Sequence, residues 1–244
     1  MFRIARLGLL AALVLGMPTV ASAQAGGVKK KDTPNVQPAD KDSTVGEKAK
    51  AVADLELASR LIHFGRENKS AESLLLAAQI IAKTPTKAME SRRTVEGTEV
   101  GNAGKPEVVD NSPTALIAEA KKLSDSPAVV ALAAATDDLI KTRPRALTFS
   151  GNPVSDAFVL QPGQTITWNP VSMLANQKAI VYVDIGRQGR MRLDVIDELG
   201  NIVVSDTVPG NYYSCIWYPR WAGSFRFRLT NYDNIAFSCV LVAN

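Results

Sequence analysis

Near Leu147 the spacing of apolar residues changes from every third or fourth position to every second, and no single kind of regular element spans that change. Before it, Val52, Leu55, Ser59 and Ile62, flanked by Ala58, Leu61 and Phe64, recur at helical spacing. After it, Met191, Leu193 and Val195 alternate with Arg190, Arg192 and Asp194. Phe225, Phe227 and Leu229 alternate with Arg226, Arg228 and Thr230, and Ile235, Phe237, Cys239 and Leu241 form a third set. A chain divided in this way reads as α+β in two modules: a small all-α helical hairpin region followed by an antiparallel, jelly-roll-like β-sandwich.

The helical module is expected over residues 43–144. Thr44-Val45-Gly46-Glu47 matches a capping box ahead of the first helix. Ser70 opens a second helix carrying Leu74, Leu75, Ala78 and Ile81, which must stop near Thr84 because Pro85 disfavours a helical residue before it. Ser112-Pro113 and Ser126-Pro127 each set a capping hydroxyl before a proline at the first helical position. The helices they open carry Leu116, Ile117, Ala120 and Leu123, then Val129, Val130, Leu132, Ala133, Leu139 and Ile140, with Pro144 as the stop. Between the two pairs, residues 85–111 hold few large apolar side chains and read as a mobile insertion.

The sandwich is expected over residues 147–244. Further strand-like runs lie near 156–160, 163–168, 179–185, 201–206 and 213–218, punctuated by Pro162-Gly163, Leu199-Gly200-Asn201 and Asn231 to Asn234. If the last two strands form a hairpin with their apolar faces together, facing residue numbers sum to 464, so Leu229 meets Ile235 and Phe225 meets Cys239.

Residues 1–23 have the form of an export signal: Arg3 and Arg6, an apolar core from Leu7 to Leu15, Pro18, then Ala21-Ser22-Ala23 before a cleavage point at Gln24. That core is too short to span a bilayer, so no integral membrane segment is expected after cleavage. Residues 24–42, with Lys29-Lys30-Lys31, Pro34 and Pro38, read as a disordered leader. The whole chain carries 28 Lys and Arg against 24 Asp and Glu, and the signal takes two of the arginines. A balance that close to neutral offers no basic stripe for nucleic acid. The expected location is periplasmic or extracellular.

The stretch from Ala179 to Asn244 resembles the bacterial pre-peptidase C-terminal-type β-sandwich. The resemblance is carried by Val181-Tyr182-Val183 before a glycine turn, Leu193-Asp194-Val195-Ile196-Asp197 with Gly200-Asn201, the approach Pro219…Gly223-Ser224-Phe225, the strand Arg226-Phe227-Arg228-Leu229, and Asn231 before a closing strand. It implies a non-catalytic accessory module at the end of an exported protein. Members of that group bind calcium through clustered acids, often in an Asp-x-Asp-Leu element. Arg192 stands where the first of those acids would sit, so calcium is not carried over.

Few residues suggest chemistry. Cys215 and Cys239 are the only cysteines and read either as an inter-strand disulfide or as two buried thiols. Five of the aromatic residues crowd into ten positions, as Tyr212, Tyr213, Trp217, Tyr218 and Trp221. With Arg220 they read either as core and edge packing or as a ligand platform made by Tyr212, Trp217, Tyr218, Arg220 and Trp221. The single histidine, His63, lies mid-helix between Ile62 and Phe64 and reads as a helix-surface or helix-contact residue. There is no Gly-x-Ser-x-Gly elbow, Ser-x-x-Lys element or glycine-rich phosphate cradle, and no cofactor or metal is expected. The sequence therefore points to an exported, non-catalytic binding or accessory protein, its helical module for protein contacts and its sandwich for a ligand, with an unknown protein or glycan of the cell envelope as partner. A carbohydrate-binding module centred on 212–221 and an unrecognised secreted hydrolase are the alternatives.

Overall fold

The computed structural model describes residues 33–40, 42–89, 93–97, 109–142 and 152–244. The expected export signal, residues 24–32 of the leader, the middle of the 85–111 insertion, Pro144 and Leu147 lie outside the described residues. In chain order the elements are α1 (Glu47–Glu67), α2 (Ala71–Lys83), β1 (Lys87–Ala88), β2 (Arg93–Glu96), α3 (Pro113–Leu123), α4 (Pro127–Thr142), β3 (Val154–Leu160), β4 (Thr165–Met173), β5 (Ala179–Gly189), β6 (Met191–Ile196), β7 (Ile202–Asp206), β8 (Gly210–Trp217), β9 (Gly223–Asn231) and β10 (Phe237–Ala243).

The strands form two five-stranded sheets, β1-β3-β10-β5-β8 and β2-β4-β9-β6-β7, antiparallel except where β1 runs parallel to β3. Their facing sides make one core. The second sheet contributes Ile166, Trp168, Leu193, Val195, Phe225, Phe227 and Leu229; the first contributes Leu160, Val181, Val183, Tyr213, Cys215, Trp217, Phe237 and Leu241, all buried. The period-two sets in the sequence are these inward faces.

The helices lie on the outer side of the first sheet. One side of α1, with Ala49, Val52 and Leu55, packs on Ile180, Tyr182 and Val242. Another side, with Ala58 and Ile62, packs on Leu74, Leu75 and Ala78 of α2, which in turn meets Leu116, Ile117 and Ala120 of α3 and Val129 and Ala133 of α4. α1 thus belongs to two hydrophobic cores at once. Ser70, Ser112 and Ser126 accept from the backbone N–H groups of Ser73, Ala115 and Val129, as expected of caps.

Four expectations need correction. Thr44 does not cap α1: the N-cap is Gly46, without a side-chain bond, and Thr44 is spent on a parallel bridge to Gln177. The 24–42 leader is not disordered throughout, because within 33–40 Asn35 is fully buried, Val36 packs on the sandwich core and Gln37 bridges Tyr218. Polar composition hid this, since Asn35 is held by hydrogen bonds and not by apolar burial. The 85–111 insertion is likewise not wholly unstructured: β1 and β2 extend one edge of each sheet.

The last two strands, finally, do not form a hairpin. β9 pairs with β4 and β6, β10 with β3 and β5, so Phe225 lies opposite Val171 and Cys239 opposite Phe158, while Ile235 sits in an exposed connection. Asn231 makes the crossing between sheets. Its buried amide donates to the carbonyls of Gln161 and Ile235, and its oxygen accepts from the N–H of Asp233.

Candidate functional site

The aromatic run splits according to strand alternation. Tyr213, Cys215 and Trp217 point into the core, and Trp217 is 2% exposed, packed on Phe225 and Phe227 at centroid distances of 5.4 and 6.2 Å. A platform including Trp217 is therefore ruled out. The alternate residues of β8 meet α1: the Arg60 guanidinium lies 5.3 Å from the Tyr212 ring centroid, and the Ser214 hydroxyl donates to Glu56. Tyr218 is half-buried beside Gln37. Arg220 is exposed and donates to the Val36 carbonyl, and half-buried Trp221 donates through Nε1 to Glu198.

Cys215 and Cys239 are free and buried, so the disulfide reading is also corrected. β5 lies between their strands, with Cys215 opposite Val181 and Cys239 just beyond the Val240–Asp184 pair. Two strand spacings, about 9.6 Å across the sheet, exceed what a disulfide can bridge. Burial pushes the Cys215 thiol up to about 12 and raises Cys239 as well. Native protein at pH 8 should therefore resist a thiol reagent that reacts fully after unfolding, and reductant should leave the melting temperature unchanged. Labelling in the native state, read by mass spectrometry, would contradict the buried placement.

His63 meets the first sheet. Its Nε2 lies 3.0 Å from Oδ1 of Asp184, which also accepts from the Gly186 N–H, while the Ser59 hydroxyl donates to Oδ2 at 2.6 Å. Serine and histidine both bond the carboxylate, and nothing here draws a proton from Ser59, so the arrangement is a clasp between α1 and β5 and not a nucleophile relay. Among the described residues no three His, Cys, Asp or Glu side chains gather as metal ligands. None of the described helices is long and apolar enough to cross a membrane.

None of the described helices packs on the outer face of the second sheet. Because Phe225, Phe227 and Leu229 turn inward, Arg226, Arg228 and Thr230 turn outward; Arg192 and Asp194 do the same on β6. Register lines these residues up in two rows. One runs Thr94–Thr167–Arg228–Asp194–Ser205, the other Glu96–Thr165–Thr230–Arg192. Asp194 is 1% exposed and serves as the pin. It accepts from Nε of Arg192 at 2.7 Å, from Nε and Nη2 of Arg228 at 3.2 and 2.7 Å, and from the Ser205 hydroxyl. Burial acts to raise its pKa, but the bonds from Ser205, Arg192 and Arg228 outweigh this and hold the carboxyl below the ordinary aspartate value. A groove of about 280 Å³ opens here, lined by Glu96, Thr165, Arg192, Asp194, Arg228, Thr230 and Tyr232. Sequence reasoning missed this site, although the outward Arg192-x-Asp194 and Arg228 positions were visible as alternation.

Asp184, Asp194 and Asp197 are all held below the ordinary value of 3.8, in each case because hydrogen bonds outweigh burial. A carboxyl depressed in the folded state contributes stability that is present above its unfolded value and is lost as pH falls through its folded value. The denaturation midpoint should therefore be level near neutrality and fall once pH drops below 3.8. A midpoint still level at pH 2.5, about a unit below that value, would contradict the assignments.

The chain is thus a β-sandwich with helices layered on one sheet and a polar groove on the other. Comparison with protein-family models finds no match, and none of the curated proteins matches in sequence. Among solved structures the chain is similar to PliG of Aeromonas hydrophila, a periplasmic inhibitor of g-type lysozyme, at 10% identity over 38% of this chain and 84% of that one, with a TM-score of 0.28. It is also similar to the pre-peptidase C-terminal domain of a Bacillus anthracis collagenase, at 14% identity over 40% of this chain and 82% of that domain, with a TM-score of 0.24. A third is the Yersinia pseudotuberculosis-derived mitogen, at 12% identity over 38% and 85%, with a TM-score of 0.27. At such values the likeness carries no conclusion about what this chain binds or does.

Proposed function

We propose that this is an exported, non-catalytic binding protein whose ligand surface is the outer face of the second sheet. One observation carries the reading. The first sheet spends its outer face on α1, whereas the second carries there, uncovered by any described helix, a pair of arginines aligned by a buried aspartate. Burying Asp194 without using it would be costly, and its bonds hold Arg192 and Arg228 ready before any partner arrives. The helical layer, with Leu57 and Phe64 exposed on α1, is the part suited to protein contacts. Export follows from the form of residues 1–23.

Hydrogen exchange on the mature protein mixed with cell-envelope material tests this. Protection of 191–196 and 223–231 is the expected result. Protection confined to Tyr218, Arg220 and Trp221 would move the ligand to that rim, and no protection anywhere would overturn the reading.

A further inference from the structure

We propose that the groove on the second sheet takes a carboxylate-bearing saccharide, with Arg192 and Arg228 on the carboxylate and the row toward Glu96 on ring hydroxyls; this rests on reading that face as the ligand surface. The donors come first. Arg192 bonds Asp194 through Nε alone, and Arg228 uses Nε and Nη2. Both Nη groups of Arg192 and Nη1 of Arg228 have no partner among the described residues, and the two side chains are 39% and 37% exposed. A guanidinium whose plane is fixed and whose free edge faces an open groove is matched to the paired oxygens of a carboxylate.

The rest of the lining decides what carries that carboxylate. Glu96 closes the far end of the row Glu96–Thr165–Thr230–Arg192, three strand spacings or about 14 Å from Arg192. A phosphate ion is too small to use that length and gains nothing from Glu96. A saccharide with one uronic acid at the arginine end and neutral rings beyond it spans that length and offers hydroxyls for which Glu96 is an acceptor. The Thr165 and Thr230 hydroxyls, 2.9 Å apart, serve as donor or acceptor to the same groups. At the arginine end Tyr232, 58% exposed, supplies an aromatic face of the kind on which sugar rings stack. The two arginines and the two acids of the lining balance in charge, so the groove is not a general sink for polyanions.

Titration calorimetry of the whole mature protein with an acidic xylo-oligosaccharide, a single glucuronate on neutral xylose units, tests the proposal, with neutral dextran, polyglutamate and inorganic phosphate as comparators. Binding to the acidic xylo-oligosaccharide alone is expected, weakening as salt rises. Arg192→Lys, which keeps the charge but loses the fork, should lower affinity about tenfold or more, and so should Glu96→Gln and Tyr232→Ala. The last two alter exposed groups and leave no buried charge unpaired, and circular dichroism checks the fold of all three. Equal binding to polyglutamate, competition by phosphate alone, or indifference to all three substitutions would overturn the saccharide assignment. Protection of 191–196 and 223–231 by envelope material without binding of the acidic xylo-oligosaccharide would overturn it while leaving the face as the ligand surface. Absence of both would remove the two readings together.

Discussion

Replacing Asp184 by Ala is expected to lower the unfolding free energy by about 3 kcal/mol, because it removes the acceptor of three hydrogen bonds at once, each worth about 1 kcal/mol. The side chains of Asp184 and His63 are 9% and 15% exposed, so neither recovers full hydration after the other is lost. Ser59 and the Gly186 N–H lose their acceptor at the same time. The apolar contacts of Val52 and Leu55 with Ile180 and Tyr182 survive, so the variant should fold while α1 opens more often. Chemical denaturation measures the loss, and faster exchange across residues 47–67 localises it. Asp184→Asn keeps an acceptor for Ser59 and should cost about half as much. It should also remove part of the acid limb of the stability profile, because Asp184 then no longer titrates. An unchanged denaturation midpoint in the Ala variant would mean that apolar packing alone holds the helical layer.

The second large effect is expected at Asn35. Its Oδ1 accepts from the N–H groups of Arg220 and Trp221 at 2.9 and 3.0 Å, its Nδ2 donates to the Trp221 carbonyl at 3.1 Å, and its own N–H donates to Asp197 at 3.0 Å. Asn35→Ala strands two backbone donors in a buried place, at about 1–3 kcal/mol each. For a folded part of this size that corresponds to a fall of roughly 10 °C in the melting temperature. Asn35→Asp retains the acceptor but sets a second carboxylate beside Asp197 and Glu198, and it should be no milder. Differential scanning calorimetry decides the matter; a shift of only about 1 °C, the size of an ordinary surface substitution, would return residues 33–40 to the status of a passive tail.

What could be read from the sequence follows from what each signal measures. Alternation reports which side of a strand meets the core. All eight runs after Leu147 are therefore strands, and Phe225, Phe227 and Leu229 are inward as read. Serine before proline reports local backbone chemistry, so the starts of α3 and α4 were legible too. Alternation is silent about which strand lies beside which. The expected hairpin of β9 and β10 assumed that neighbours in sequence pair, and Asn231, one polar residue whose side chain has four backbone partners, sends the chain to the other sheet instead. The candidate site stayed hidden for the same reason: Arg192, Asp194 and Arg228 were each placed outward, but only the pairing of β6 with β9 brings them together. Buried polar anchors such as Asp184 and Asn35 carry no mark in a sequence, since composition gives them the look of surface residues.

The position of β10 between β3 and β5 bears on how the two layers come to be complete. It joins two pairs that are otherwise separate, β1 with β3 and β5 with β8, so this sheet is whole only once Phe237–Ala243 are in place. Neither layer can finish early, because β9 and β10 close different layers and follow each other by only a few residues. The two layers therefore become complete almost together, and neither serves as a finished template for the other.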